Sequence, residues 1–459
     1  QEILDRIDEL ELAINDVERV TREDLLIESF GKMVSWRAKA QNYMKNSSTE
    51  YSLFDDVTFM DFHNHSNIHL IEYFYGVRHV YGLSVSDSSS MFIENEVNPE
   101  FEAKIQRFLS HFWITPSEFS QDEMVDFIES SNILYNEIVA PLLPNLPSEK
   151  TIVLAPDGLI KLIPFETLLV EVPSNPTGYN TLPYLVKYTS ISYITSAEML
   201  LDRPPVLPKH NSQLTSFALK SRYSSSDTTS AYIMQEIKNS RLYFEGLTFR
   251  GEQATKDAFI RIAPRFEILY LLIHGDAIDY PKLIFNPGKT TNIERNLYSH
   301  EIYNLDLSGN VIVLTSTETG MGLIPHGEAV ISMVRAFLSA GSGTVVLGLW
   351  EAHDEHSKNI IGSFFKKLSL GNNTLQALRD AKLEYLSTAD KLSAHPHNWA
   401  ELISYGEPVQ VTTEKDNAYL MWVLLFFFIL PILVTISSVR EKYIDKIEAE
   451  DNARQQVHH

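Results

Sequence analysis

The sequence predicts an α/β domain built on a mostly parallel β-sheet with helices on both faces. Short, wholly apolar runs bounded by turn residues recur along the chain, and amphipathic helical patterns lie between several of them. The 459 residues, 44% hydrophobic and 11% aromatic, are enough for a large core. Alternating strand and helix requires crossover connections, and crossovers lay helices over both faces of a parallel sheet. At roughly 100 to 200 residues per domain, this length predicts two to four structural units.

The elements follow in chain order. Ile3, Ile7, Leu10, Ile14 and Val17 recur in alternating steps of four and three residues, which places one apolar stripe on a helix. The stripe fits a helix packed on the domain or one paired in a coiled coil. The chain opens at Gln1 inside this pattern, as expected if an upstream helical region or a signal peptide has been removed. Residues 1–69 are therefore read as a helical N-terminal region.

From Leu70 the pattern changes to "LIEYFYG" and "HVYGLSVS", rich in aromatic and β-branched residues and ending in Gly or Ser, as hairpin strands do. A helical stretch over 99–143 precedes "TIVLAP", an apolar strand ending at Pro156 and Asp157. Further buried-strand candidates are "SISYIT", "LTSFAL", "EILYLLI", "NVIVLTS" and "GTVVLGLW", with helical patterns at 255–263 and 327–340 among them. Polar stretches at 173–181 and 221–230 read as exposed loops.

The end of the chain differs in kind. Residues 418–439, "AYLMWVLLFFFILPILVTISSV", carry no charge. At about 1.5 Å per residue they are long enough to cross about 30 Å of hydrocarbon, which predicts one C-terminal transmembrane helix; a buried core helix is the competing reading. Bilayer helices tolerate a proline such as Pro431, and Tyr419 and Trp422 sit where an interfacial belt belongs. Arg440, Lys442 and Lys446 follow the span, whereas Lys415 lies between Glu414 and Asp416 before it. By the positive-inside rule, the short charged tail 440–459 is cytoplasmic and the large domain lies on the other face. The expectation is a single-pass membrane protein. His458 and His459 read as the remnant of an affinity tag and take no role.

Charge and cysteine usage narrow the chemistry. A net charge of -22 opposes binding to a polyanion, because nucleic-acid affinity depends on Lys and Arg neutralising phosphates. The absence of cysteine removes disulfides, thiolate metal sites and thiol nucleophiles together. No cofactor or metal is expected. "HNH" at His63 to His65, with His69, lacks a carboxylate partner beyond Asp61, and His353 and His356 fit the solvated first turn of a helix better than a zinc site. "NSS", "NHS" and "NNT" match the glycosylation pattern, which is frequent by chance and idle in a bacterium.

Two residues stand where an open α/β sheet places its ligands, outside the carboxyl ends of strands. His274 follows "LYLLI", and Thr317 follows "VIVLTS". A histidine after a strand is by itself more often structural. The accompanying motifs change that weighting: His274-Gly275; Ser316-Thr317-Glu318-Thr319-Gly320; Gly327-Glu328 with Arg335-Ala336-Phe337; Leu349-Trp350 then Asp354; His395-Pro396 with Trp399-Ala400, leading to Gly406. In this order they resemble the CHAT domains, caspase-like domains usually found after tetratricopeptide repeats. "LAPDGLIKLIPFETLL" and "YLVKYTSISYITSAEML" look like the family's leading half.

The resemblance implies a caspase and separase type of α/β fold over 70–410, with a pseudo-domain half at 70–210 and an active-type half at 211–410. Residues 1–69 become the end of a helical-repeat segment. The resemblance also implies a His–Cys pair at strand ends. His274 takes the histidine's place, Thr317 the cysteine's, and Gly275, Ser316, Glu318, Gly320, Trp350 and Asp354 are expected to line the cleft. A protein or peptide partner in that cleft is implied, with the membrane as a second partner through 418–439; the oligomeric state is left open.

Thr317 departs from the family at the position that matters. A thiol is a few per cent ionised at neutral pH and strongly nucleophilic, whereas a hydroxyl needs an aligned base, and the branched Cβ of threonine restricts χ1. The expected function is a catalytically impaired pseudopeptidase acting as a binding or regulatory module. The alternative is an endopeptidase using position 317 as nucleophile and His274 as base, with Thr317 either natural or a replacement of an original cysteine.

Overall fold

A computed structural model of the chain describes residues 68–411 except 77, 87–88, 114–115, 144, 147–150, 198–212, 220–226, 277–280, 288–294, 316–324 and 351–354, together with parts of 435–447. For 227–232, 274–276 and 325–331 it describes the backbone.

The strands of the leading half are β1 (Ile68–Tyr75), β2 (His79–Val85), β3 (Ser90–Glu96), β4 (Thr151–Ala155) and β5 (Ile191–Tyr193). Those that follow are β6 (Gln213–Ala218), β7 (Glu245–Arg250), β8 (Ile268–Leu272), β9 (His274–Asp276), β10 (Lys282–Ile284), β11 (Asn296–Tyr298), β12 (Val311–Leu314), β13 (Thr344–Gly348) and β14 (Leu402–Gly406). Eleven of them form one sheet in the order β3-β2-β1-β4-β5-β14-β13-β12-β8-β6-β7, while β11-β10-β9 form a second, three-stranded sheet. In the large sheet only the β1–β2–β3 meander and the β13–β14 pair are antiparallel among the described residues. The mixed α/β sheet expected from the strand and helix alternation is present.

The helices are α1 (Pro99–Ser110), α2 (Gln121–Leu134), α3 (Asp227–Ser240), α4 (Lys256–Ile262), α5 (Pro325–Ser339), α6 (Glu355–Ser369) and α7 (Thr374–Thr388). Their starts are local. Asn98, Ser120, Thr255 and Asn373 each accept a backbone N–H from the first turn of α1, α2, α4 and α7. Such a cap satisfies a donor that the helix itself cannot. The single helical stretch expected over 99–143 is two helices, α2 continuing through a π turn at Tyr135–Val139 into a 3-10 turn at Ala140–Leu142.

β8, β12 and β13 are buried at every position, as strands covered on both faces must be. At the other side of the sheet the period of two is visible in the packing. Ile71, Ile152, Leu154 and Tyr193 enter the main core, and Leu70, Val153, Ala155 and Ile194 form a separate small cluster. The main core runs without a break from Ile71 to Val411.

The two parts of the sheet are held by few but specific contacts. β14 pairs with β5 through Tyr405 and Tyr193, whose rings lie 5.5 Å apart, and Ser192 Oγ donates to the Gly406 carbonyl at 2.6 Å. From α7, Arg379 donates to the carbonyls of Val186 and Lys187 at 2.8 and 2.9 Å. Lys382, also on α7, meets Glu166 of the leading half at 2.6 Å with both side chains out of solvent. Burial raises the Glu166 carboxyl above its ordinary range, and the Lys382 ammonium opposes that shift.

The end of the chain corrects an expectation. Among the described residues no helix is long and apolar enough to cross a membrane, which overturns the transmembrane helix expected over 418–439 and the single-pass membrane localisation drawn from it. Residues 412–434 lie outside the described residues. The helical residues described beyond them place Arg440, Lys442 and Lys446 among exposed Ile436, Val439 and Tyr443. Residues 413–459 form a unit of their own.

Removing one partner of a buried ion pair leaves an uncompensated charge, whereas replacing both with neutral side chains is often tolerated. Lys382→Met is therefore expected to lower unfolding stability by about 3–5 kcal/mol, and Glu166→Gln combined with Lys382→Met to recover most of it. Denaturant unfolding of the two variants beside the parent chain measures both; equal losses would show that the pair does not hold the parts together.

Candidate functional site

The site region is built by three neighbouring parallel strands, β8, β12 and β13, which end on the same edge of the sheet. In their register Leu271 opposes Leu314, and Leu314 opposes Leu347. His274 and Thr317 thus each stand three residues beyond members of one register pair, Leu271 and Leu314. The last described rung between β8 and β12 is Thr315 N–H to the Leu271 carbonyl, at 3.4 Å.

After β8, Ile273 is fully buried and His274 begins β9. There the backbone of His274 pairs with Ile284 and that of Gly275 with Leu283, so a second sheet holds this stretch directly after the strand end. The side chain of His274, and residues Ser316, Thr317, Glu318, Gly320 and Asp354, lie outside what the structure describes.

Trp350 is described, and its position is specific. It follows β13 by two residues, and its indole N–H donates to the His397 carbonyl at 3.0 Å. Its ring lies 5.3 Å from Phe112 and 5.9 Å from His397, nearly parallel to the latter. His397 Nδ1 in turn donates to the Phe112 carbonyl at 2.8 Å. Phe112 follows α1 in the leading half, so a residue expected to line a cleft is held from both parts of the molecule.

The late H-P-x-x-W-A segment is packed into the same seam. His395 lies edge-on to Tyr179 at 4.6 Å, and Trp399 edge-on to Tyr184 at 4.9 Å. Burial raises the hydroxyls of Tyr179 and Tyr184 above the ordinary phenol value. Gly406 ends β14 with φ +94, and a Cβ there would collide with the Gly343 carbonyl oxygen. That motif position needs glycine for both reasons.

Beneath the strand ends lies a buried polar pair that sequence reasoning missed. The Tyr270 hydroxyl on β8 donates to Glu236 Oε2 on α3 at 2.7 Å, and both residues are buried. Burial, with the Glu236 carboxylate second, pushes the Tyr270 hydroxyl well above its ordinary value. An acid within an amphipathic helix gives no sign of this in sequence. Of the histidines weighed as metal ligands, the two that are described have other partners, His69 Nε2 meeting Ser84 Oγ at 2.6 Å and His356 Nδ1 the Tyr385 hydroxyl at 2.7 Å, while His63, His65 and His353 lie outside the described residues. Among the described residues no group of three or more histidines and carboxylates is placed to hold a metal ion.

This arrangement of strand ends fits acyl-transfer chemistry if a nucleophile and a base meet there, and fits peptide binding without it. A sequence model of the CHAT domain matches residues 129–407, well over half of the chain. Tetratricopeptide repeat protein 28 of Mus musculus is 28% identical over 120 residues, 26% of this chain and 5% of that protein. The Homo sapiens protein of the same name is 30% identical over 120 residues, again 5% of its length. The fold is similar to separase in the Saccharomyces cerevisiae separase–securin complex, with a TM-score of 0.54, 12% identity, and coverage of 89% of this chain and 37% of that one. The chain thus spans a small part of these proteins.

The seam makes a direct stability claim about its glycine. Gly406→Ala is expected to cost at least about 1–3 kcal/mol, the range for a non-glycine residue forced into a strained backbone region. A chemical-denaturation midpoint unchanged by this substitution would mean that the β14 end relaxes freely.

Proposed function

Because the chain belongs to the CHAT domain family, we propose that it is a caspase-like module that has lost its peptidase nucleophile and acts by binding a protein or peptide partner at the ends of β8 and β12. One observation carries this reading. Thr317 stands where the family places its cysteine, in a chain without any cysteine. A threonine hydroxyl beside a histidine lacks the ready ionisation of a thiol, and the known threonine nucleophiles are activated by a terminal amine, which an internal residue does not have.

A protein partner is supported by what the similar proteins are named for. The yeast separase is described in complex with securin, and the similar mouse and human proteins are named for tetratricopeptide repeats. Residues 70–210 would supply a non-catalytic half that fixes the seam, and 211–410 the half with the strand ends. Gly275, Ser316, Glu318, Gly320, Trp350 and Asp354 would line the binding cleft.

A second reading has a specific observation in its favour. His274 and position 317 stand the same number of residues past the paired residues Leu271 and Leu314, on neighbouring strand ends, as a base and a nucleophile on adjacent strands would. As an endopeptidase, the side chain at 317 would attack a peptide carbonyl while His274 took its proton and passed it to the leaving amine.

Labelling with an electrophilic peptide probe separates the two. The unmodified chain is expected to remain unlabelled, Thr317→Cys to be labelled, and Thr317→Cys with His274→Ala to be labelled far more slowly. Labelling of Thr317 itself, with peptide cleavage that requires His274, would establish the enzyme. A folded Thr317→Cys no more reactive than an exposed thiol would show that the base is no longer aligned.

A further inference from the structure

The turn that carries His397 is capped by a histidine. His395, 1% exposed, sits before the 3-10 turn Pro396–Asn398, and its Nδ1 accepts the His397 N–H at 3.2 Å. A neutral imidazole has one acceptor and one donor, so the proton of His395 is assigned to Nε2. That nitrogen lies 3.7 Å from Glu123 Oε1, a contact beyond hydrogen-bond length to a side chain that is 41% exposed.

The ionisable groups around His395 do little to favour a second proton. Glu123 approaches from α2, and the next acid on that helix face, Asp126, meets His111. Asp126 is already taken by Arg107 of α1 and by His111, at 3.0 Å from the latter. Tyr179 presents its ring edge-on, and His397 and His111 would add positive charge of their own if protonated. A proton on Nδ1 would face the His397 N–H, replacing an acceptor with a donor and breaking the cap.

We propose that His395 is an acid-sensitive latch, closed when its ring is neutral, that holds the His397 turn, and through it Trp350 and Phe112, across the seam at the edge of the candidate site. The chain of contacts is continuous. His395 caps the turn, the His397 carbonyl holds the Trp350 indole, and His397 Nδ1 holds the Phe112 carbonyl. Opening the turn releases both anchors together. Burial, seconded by His397 and His111, pushes the His395 imidazole down to about 3 in the closed form. Once opened to water it returns to an ordinary value near about 6.5.

The sign follows. The closed form binds the proton less well than the open one. The latch therefore contributes its full stability above about pH 6.5 and loses it as pH falls toward the closed-form value. One proton taken up on opening shifts the opening equilibrium about tenfold per pH unit within that window. His111 is shifted in the same direction, by burial against the pull of Asp126, so the contribution of His395 is read as a difference between variants.

The test is hydrogen exchange of the 397–400 amides in the full chain between pH 8 and pH 4.5, corrected for intrinsic rates, for the parent and for His395→Asn. Asparagine keeps a capping acceptor for the His397 N–H and does not titrate. The parent is expected to open progressively more readily below about pH 6.5, with a slope about one proton steeper than that of the variant. Equal slopes would overturn the proposal. Should His395→Asn fail to fold, the ring proton resonances of His395 in the parent decide alone. Titration near the ordinary value while the 397–400 amides stay protected overturns the latch; a ring that stays neutral until protection is lost supports it.

Discussion

β14 is the strand on which the rest of the molecule depends. It lies between β5 and β13, parallel to the first and antiparallel to the second, so one short strand joins two runs of parallel strands into a single sheet. Without it each run would present an unpaired edge in the middle of the core, where backbone donors and acceptors have no water to turn to. Its position obliges the chain to return from α7 through the His395 to Trp399 segment, and to end on Gly406 in a conformation that other residues adopt at a cost.

That return path explains why the seam is rich in polar groups. Arg379 and Lys382 of α7, His395 and His397, and Tyr179, Tyr184 and Glu166 of the leading half all meet there. Apolar packing alone would be cheaper, since a buried ion pair at best roughly offsets its desolvation. What polar contacts add is direction. A hydrogen bond from Trp350 to one particular carbonyl, or from Arg379 to two, is satisfied in one docking of the parts and lost in others. Just past the end of β13, Trp350 is therefore held by Phe112 and His397 in a position set from the other part of the molecule.

Much of the fold was legible because apolar runs report burial directly. "TIVLAP", "LTSFAL", "EILYLLI", "NVIVLTS" and "GTVVLGLW" became β4, β6, β8, β12 and β13, and "LIEYFYG" with "HVYGLSVS" became the antiparallel pair β1 and β2. In the large sheet, β3, β7 and β14 carry no clear strand pattern in sequence. β3 and β7 form the two edges of the sheet and carry mixed, part-exposed residues without strong alternation. "LISYG" is short and stood inside a motif noticed for its resemblance, which hid its role as the joining strand. The uncharged stretch at 418–439 shows the opposite error. Hydropathy alone fits several environments, and no described helix has the length and apolar character of a span.

The sequence by itself determined the strand and helix alternation, the absence of a thiol, and the presence of a histidine after one buried strand and a hydroxyl residue after another. Each of these is a matter of residue identity and local period, which survive without knowledge of neighbours. Only the tertiary structure decided that Leu271 and Leu314 are register partners, that Glu236 meets Tyr270, that Lys382 meets Glu166, and that Trp350 is held between Phe112 and His397. These pairs lie from 34 to 238 residues apart in the chain, so no local pattern encodes them. They exist because a closing core favours partners for most of its buried polar groups, and which partners are in reach is set by the whole sheet rather than by any one segment.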